Sequence, residues 1–413
     1  MRVPPFIFAL LVSLSPVAEA ATTVPVHWVQ LGPGGAAELR AVAVGPSCPD
    51  VTVDGADYRM AVRAAPDANF PQNLCAITLP SGARRAVFQG EAIPLPKPAP
   101  TRIVIIGDTG CRILNKNIQA CNDPEQWPFA TIAREAAGLN PDLVIHVGDY
   151  DYRESPCPEG NTGCAGVVWG DNWASWKADV FDPAAPLLAA APFVFVRGNH
   201  EECSRFGPGW LRLLGPLAVT PGSACTENIA PYAIPLTNMT LAVLDDASAP
   251  DVNAPANLVQ VYRGDLKAIA ALSPAPVWLA THRPISGYVR APLGITAGGN
   301  QTLLAAITAD GFPKSIELML AGHIHTFEAI NYSGTLPPQL IAGNGGDTLD
   351  TAPADLSGVN IGGLPVASGL SEPGFGFLLL TKSAAGPGWN VDVYNVHGQK
   401  ERSCTYSDRK ITC

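Results

Sequence analysis

Residues 102–110 read RIVIIGDTG, and residues 142–152 read DLVIHVGDYDY. Both pass from a short run of apolar residues into Gly-Asp. An apolar run of this length without polar alternation predicts a strand buried on both faces. The form returns as FVFVRGNHE at 193–201, VWLATHR at 277–283 and LMLAGHIH at 318–325. Strands are therefore predicted over 102–106, 142–147, 193–196, 277–280 and 316–320. Helical patterns fall over 123–137, 171–180 and 260–272. The first opens on Asp123-Pro124-Glu125, a cap followed by a first-turn proline. Strands alternating with helices make an α/β core. Further strands are expected over 240–244, 339–342, 375–381 and 391–396.

Upstream the pattern changes. Residues 21–93 carry short β-prone runs at 24–31, 38–44, 58–64 and 84–88, punctuated by Gly, Pro and Asp. They predict a small N-terminal β-domain. Pro94, Pro96, Pro98 and Pro100 alternate with other residues, which makes 94–101 a semi-rigid linker. The core domain then spans 102–398, and 399–413 form a tail. At the N-terminus, Arg2, the apolar run 6–14 and Ala18-Glu19-Ala20 read as a signal peptide over 1–20. A secreted or periplasmic protein is expected. No later stretch reaches the ~18 apolar residues of a membrane helix.

The 413 residues are 47% hydrophobic and 15% charged, which excludes a disordered chain. With 26 basic and 36 acidic residues the net charge is −10, so the overall field argues against nucleic acid as a partner. Ten cysteines without a Cys-x-x-Cys pattern point to disulfides in an oxidising compartment. Pairing sequence neighbours gives 48–75, 111–121, 157–164, 203–225 and 404–413, though spacing alone does not determine connectivity. Asn238, Asn300 and Asn331 head formal glycosylation sequons.

The chemistry gathers at the strand ends. Asp108, Asp149, Tyr152, Asn199, His200, His282, His323 and His325 all follow short apolar strands, usually behind a glycine. In α/β sheets ligands bind beyond the carboxyl ends of strands. Four of the seven histidines fall in these motifs, while His27, His146 and His397 read as structural. Each motif alone is ambiguous, since a Gly-Asp after a strand is commonly a turn with a capping Asp. Together they form an oxygen and nitrogen donor set without sulfur, suited to Fe, Mn or Zn. The set is too large for one tetrahedral ion and suits two ions sharing a carboxylate.

The order GD…GDxxY…GNHE…H…GHxH resembles the calcineurin-like metallophosphoesterases, and within them the purple acid phosphatases. Most of that superfamily carries Asp-x-His in the first motif. Here the third position is Gly110, and Tyr152 of GDxxY offers a replacement ligand, as in the purple acid phosphatases. The resemblance implies a two-sheet sandwich flanked by helices. It places Asp108, Asp149, Tyr152 and His325 on a first metal, taken to be Fe(III), whose phenolate ligand gives that family its colour. It places Asp149, Asn199, His282 and His323 on a second, Fe, Zn or Mn, with Asp149 bridging. It implies hydrolysis of a small-molecule phosphate monoester by a metal-held hydroxide. His200 becomes a substrate-contacting acid, Glu201 its orienter, Arg283 a phosphate ligand and Tyr288 a weaker pocket candidate. A phosphodiesterase or nucleotidase on the same core is the alternative, and a non-catalytic binding module a more distant one.

Overall fold

The computed structural model describes residues 22–220, 222, 224–272, 276–384 and 386–413, so the expected signal peptide lies outside the described residues. Two large mixed sheets, of eleven and eight strands, dominate the described residues. Strand alternation explains the layering. In Arg102–Ile106 and Leu143–His146, the side chains of Ile103, Ile105, Leu143 and Ile145 enter a core shared with Leu241, Val243, Trp278, Leu318 and Leu320 of the second sheet. The intervening Val104, Ile106 and Val144 face the other way, against Phe129, Ile132, Ala133, Leu187 and Leu188. Those residues belong to helices Phe129–Gly138 and Asp182–Ala190. The outer face of the second sheet is covered likewise by helices Ala256–Ala270 and Gln301–Asp310. The result is a sheet-on-sheet sandwich with helices outside, as the resemblance implies.

Within the first sheet, Arg102–Ile106, Leu143–His146 and Phe193–Phe195 run parallel. Within the second, Met239–Val243, Val277–Ala280, Ile316–Ala321 and Gln339–Ala342 do the same. Each parallel set delivers the loops after its strands to one edge.

Within the expected N-terminal domain, described residues 22–93 are not set apart by their hydrogen bonding. Thr23–Leu31 pairs in parallel with Phe193–Phe195, and Ala37–Val44, Asn73–Thr78 and Ala61–Ala64 extend the same sheet outward. At the opposite edge Lys400–Ser407 and Lys410–Thr412 of the tail extend it too. The strand expected over 58–64 divides at buried Met60. Ala56–Arg59 joins a separate four-stranded sheet and Ala61–Ala64 the large one. The linker is pinned to the core: Asp142 pairs with Lys97 and accepts from Thr101 N at 2.7 Å and Thr101 Oγ1 at 2.9 Å.

Two helices depart from expectation. The one expected from Asp123 begins only at Phe129, because Asp123 Oδ1 accepts from Glu125 N at 2.9 Å and closes a local turn instead. The one expected over 171–180 starts at Trp173, passes through a π-turn at Lys177–Phe181 and continues as Asp182–Ala190 despite Pro183 and Pro186. All five cysteine pairs are bonded as sequence neighbours, and no cysteine is free. Asn300 is buried, capping the last helix and donating to Asp246 at 3.0 Å, which removes it as a glycosylation acceptor. Among the described residues no helix is long and apolar enough to cross a membrane.

Candidate metal centre

The loops after the parallel strands meet above the sandwich, and backbone sterics show how tightly. Asp108, Asp149 and His323 have φ of 55°, 58° and 70°, a left-handed conformation costly for residues with a Cβ. Such strain at three neighbouring positions marks a site where side-chain direction outweighs local comfort. Two glycines admit the crowding: a Cβ on Gly198 would lie 2.1 Å from Asp149 Oδ1, and one on Gly322 2.4 Å from Asp108 Oδ2.

Seven side chains converge in two groups. Tyr152 Oη lies 3.0 Å from Asp108 Oδ1, 2.9 Å from Asp149 Oδ2 and 3.3 Å from His325 Nε2. His282 Nε2 lies 3.1 Å from Asp149 Oδ2 and 3.0 Å from Asn199 Oδ1, which is also 2.9 Å from His323 Nδ1. Asp149 thus belongs to both groups. Donor atoms on bonds of about 2.1 Å around one ion stand about 3.0–3.4 Å apart, so these separations match the edges of two coordination shells.

The histidine rings are oriented from outside. His282 Nδ1 meets Val147 O at 2.8 Å and His325 Nδ1 meets Thr348 O at 2.7 Å. A carbonyl only accepts, so Nδ1 carries a proton and Nε2 is the nitrogen turned toward the cluster. His323 is reversed: Nε2 meets Asp251 Oδ1 at 2.9 Å and Nδ1 faces inward. Outer acceptors of this kind are the usual support of metal-binding histidines.

Electrostatics reinforce the reading. Burial opposes charge on Asp149, but His282 and His200 outweigh it and hold the carboxyl well below its usual range. Burial depresses His282 and His325, yet Asp149 raises the first to about 9, and Asp347 with Asp108 raises the second to about 10. Burial, then Asp108 and Asp149, push the Tyr152 phenol well above its ordinary value. So much acidic character around buried rings calls for positive charge at the centre.

Glu201 is not the orienter of His200. In the turn Asn199–Glu201 its side chain accepts from the backbone N–H of Asp149 at 3.1 Å, Tyr150 at 2.8 Å and Gly198 at 3.1 Å, strapping two site loops together. The carboxylate at His200 is instead Glu154, with Oε1 2.6 Å from Nδ1, and Arg205 grips Glu154 at 2.7 and 2.8 Å. Arg283 sits at the rim, paired with Asp251 and 3.0 Å from His323 Nε2. Tyr288 is buried in the outer layer of the second sheet, its hydroxyl donating to Leu364 O at 3.3 Å, away from the cluster. His146 is structural: Nε2 meets Thr109 Oγ1 at 2.9 Å and the ring stacks on Tyr150.

Sequence reasoning also missed Arg112 and Asp347. They form a fork, and the guanidinium lies 4.8 Å above the Tyr152 ring. A signal was present: Gln339–Ala342 is another apolar strand followed by glycines and an acid, GNGGD at 343–347. Asp246, missed as well, accepts from the N–H groups of His282 and Arg283 at 3.0 and 3.2 Å. The cluster opens into a cavity of about 350 Å³ whose lining includes Asp149, Asn199, His200, His323 and His325.

Residues 101–327 match the family described as calcineurin-like phosphoesterase. Among solved structures, the purple acid phosphatase PPD1 from yellow lupin (Lupinus luteus) seeds is similar at 14% identity and a TM-score of 0.56, covering 92% of this chain and 74% of that one. PhoD is similar at 11% identity and a TM-score of 0.51, covering 93% and 90%. At these identities the likeness is one of fold. Comparison with curated proteins finds no match.

Proposed function

The chain belongs to the calcineurin-like phosphoesterase family, and from that premise we propose that it is an exported two-metal phosphatase of the purple acid phosphatase type, acting on phosphate monoesters. The observation that carries this reading is the place of the Tyr152 hydroxyl, among Asp108, Asp149 and His325, with Gly110 where most of the family has a ligand histidine. The donor set fits the metals: carboxylate, phenol and imidazole for Fe(III), and carboxylate, amide and two imidazoles for Fe, Zn or Mn.

Asp108, Asp149, Tyr152 and His325 would hold the first ion, and Asp149, Asn199, His282 and His323 the second. When bound, the ions supply Lewis acidity toward water and toward phosphoryl oxygens. The remaining work falls to the chain. His200 Nε2 stands 3.9 Å from Asp149 Oδ2, near enough to the cluster to hand a proton to a leaving oxygen. Glu154 and Arg205 hold its ring. The apolar N-terminal run and five disulfides support export.

Metal analysis with a visible spectrum, on protein from an oxidising compartment, tests the reading. About two metal ions per chain, a purple parent and a colourless Tyr152→Phe variant are expected. A protein without iron, or a variant that keeps the parent's band, overturns the subgroup. Turnover of a diester but not its monoester overturns the substrate class.

A further inference from the structure

We propose that Arg112 is the side chain through which the protein grips the phosphate of its substrate, an assignment that rests on reading the site as a phosphatase. Arg112, Arg153, Arg197, Arg205 and Arg283 stand on or beside the metal-ligand loops, and of these Arg112 alone lines the cavity, Arg197 giving Nε to Glu201 O at 2.7 Å. Arg205 gives Nε and Nη2 to Glu154 and Nη1 to Asn199 O at 3.2 Å. Arg153 is buried against Asp179 and Ala178 O. Arg283 pairs with Asp251 through Nη1, keeps a buried Nε without a partner among the described residues, and does not line the cavity.

Arg112 differs. It lines the cavity together with Asp149, Asn199, His200, His323 and His325. Its Nε and Nη2 are fixed by the two oxygens of Asp347, itself fully buried, and Nη1 has no hydrogen-bond partner among the described residues. Asp347 is anchored in turn, its N–H donating to Asp108 O at 2.9 Å. The Tyr152 ring lies beneath the guanidinium and limits its tilt. One edge of a planar cation is thus locked, and Nη1 is left without a partner on a residue that lines the cavity. An arginine suits this because its rigid planar fork can be held on one side and still aim a donor on another, whereas a lysine's ammonium offers rotatable donors on a flexible stem. A preorganised donor also loses little entropy on binding.

The test uses inorganic phosphate. Its affinity for the metal-loaded protein is measured by calorimetry, alongside KM and kcat for a phosphomonoester, in the parent, Arg112→Met and Arg112→Lys. Loss of one charge-assisted contact predicts phosphate binding and KM weakened about ten- to hundredfold in Arg112→Met. Arg112→Lys should fall in between, with kcat within about threefold of the parent and metal content unchanged in both. Equal phosphate affinity in parent and Arg112→Met overturns the assignment. So does a defect accounted for by lost metal, because Arg112 would then act through Tyr152 rather than on phosphate. A parent that binds phosphate through Arg112 but hydrolyses no phosphoester would overturn the reading of function while leaving this one standing.

Discussion

Replacing Glu154 by Gln tests how the site handles its leaving group. Glu154 Oε1 lies 2.6 Å from His200 Nδ1, and Arg205 holds the carboxylate from the other side. Burial pulls the His200 ring below its ordinary pKa, against Asp149 and Glu154, which raise it. A carboxylate this close to the ring favours its charged form by about 1.5–3 kcal/mol. Removing the carboxylate's charge disfavours the imidazolium by that amount, and above the ring's lowered pKa the imidazolium population falls about ten- to hundredfold. That matters only where the departing oxygen needs a proton. An alkyl phosphate leaves as a strongly basic alkoxide, whereas p-nitrophenyl phosphate leaves as a stable phenolate. In Glu154→Gln, kcat should drop about ten- to hundredfold on the alkyl ester and by less than about threefold on the nitrophenyl ester. Equal losses on both would refute proton delivery by His200 and leave Glu154 as a structural prop.

Three further outcomes are expected. Adding metal to the metal-free protein at pH 7 should expel about three protons, two from His282 and His325, which sit at about 9 and 10, and one from the Tyr152 phenol, which the first ion would take as phenolate. Affinity should then weaken as pH falls, and calorimetry in buffers of different ionisation enthalpy that finds no release would contradict this. Glu201→Gln turns an amide group toward backbone donors and strands about two of them, at roughly 1–3 kcal/mol each. At about 2.1 cal/mol/K per residue for a chain this long, the Tm should fall about 2–7 °C, with metal lost in parallel, and an unchanged melt by circular dichroism would count against the strap. Removing Cys203–Cys225, a 22-residue separation, should cost about 3 kcal/mol in the chain-entropy model. Denaturant unfolding of the double Ser variant measures it, and a loss below about 1 kcal/mol would show that Arg197, with both sulfurs within 3.6 Å, holds that loop unaided.

The sequence by itself determined which residues stand at the strand ends. A buried strand announces itself by four or five apolar neighbours, and the residue after it by a glycine, so Asp108, Asp149, Asn199, His282, His323 and His325 were legible from local pattern alone. The five disulfides were legible for a similar reason, each joining near neighbours in the chain. Only tertiary structure decided what surrounds those residues. Arg112 and Asp347 meet across 235 positions, and Glu154 and Arg205 across 51, with no local signature linking partners. Glu201 looked like the partner of His200 because it is adjacent in the chain, but a tight turn points neighbouring side chains apart and sends its carboxylate into another loop. Likewise strands of residues 21–93 could be recognised one by one, but not their pairing with Phe193–Phe195. Pairing is set by backbone hydrogen bonds and buried faces that come together only once the sandwich has closed.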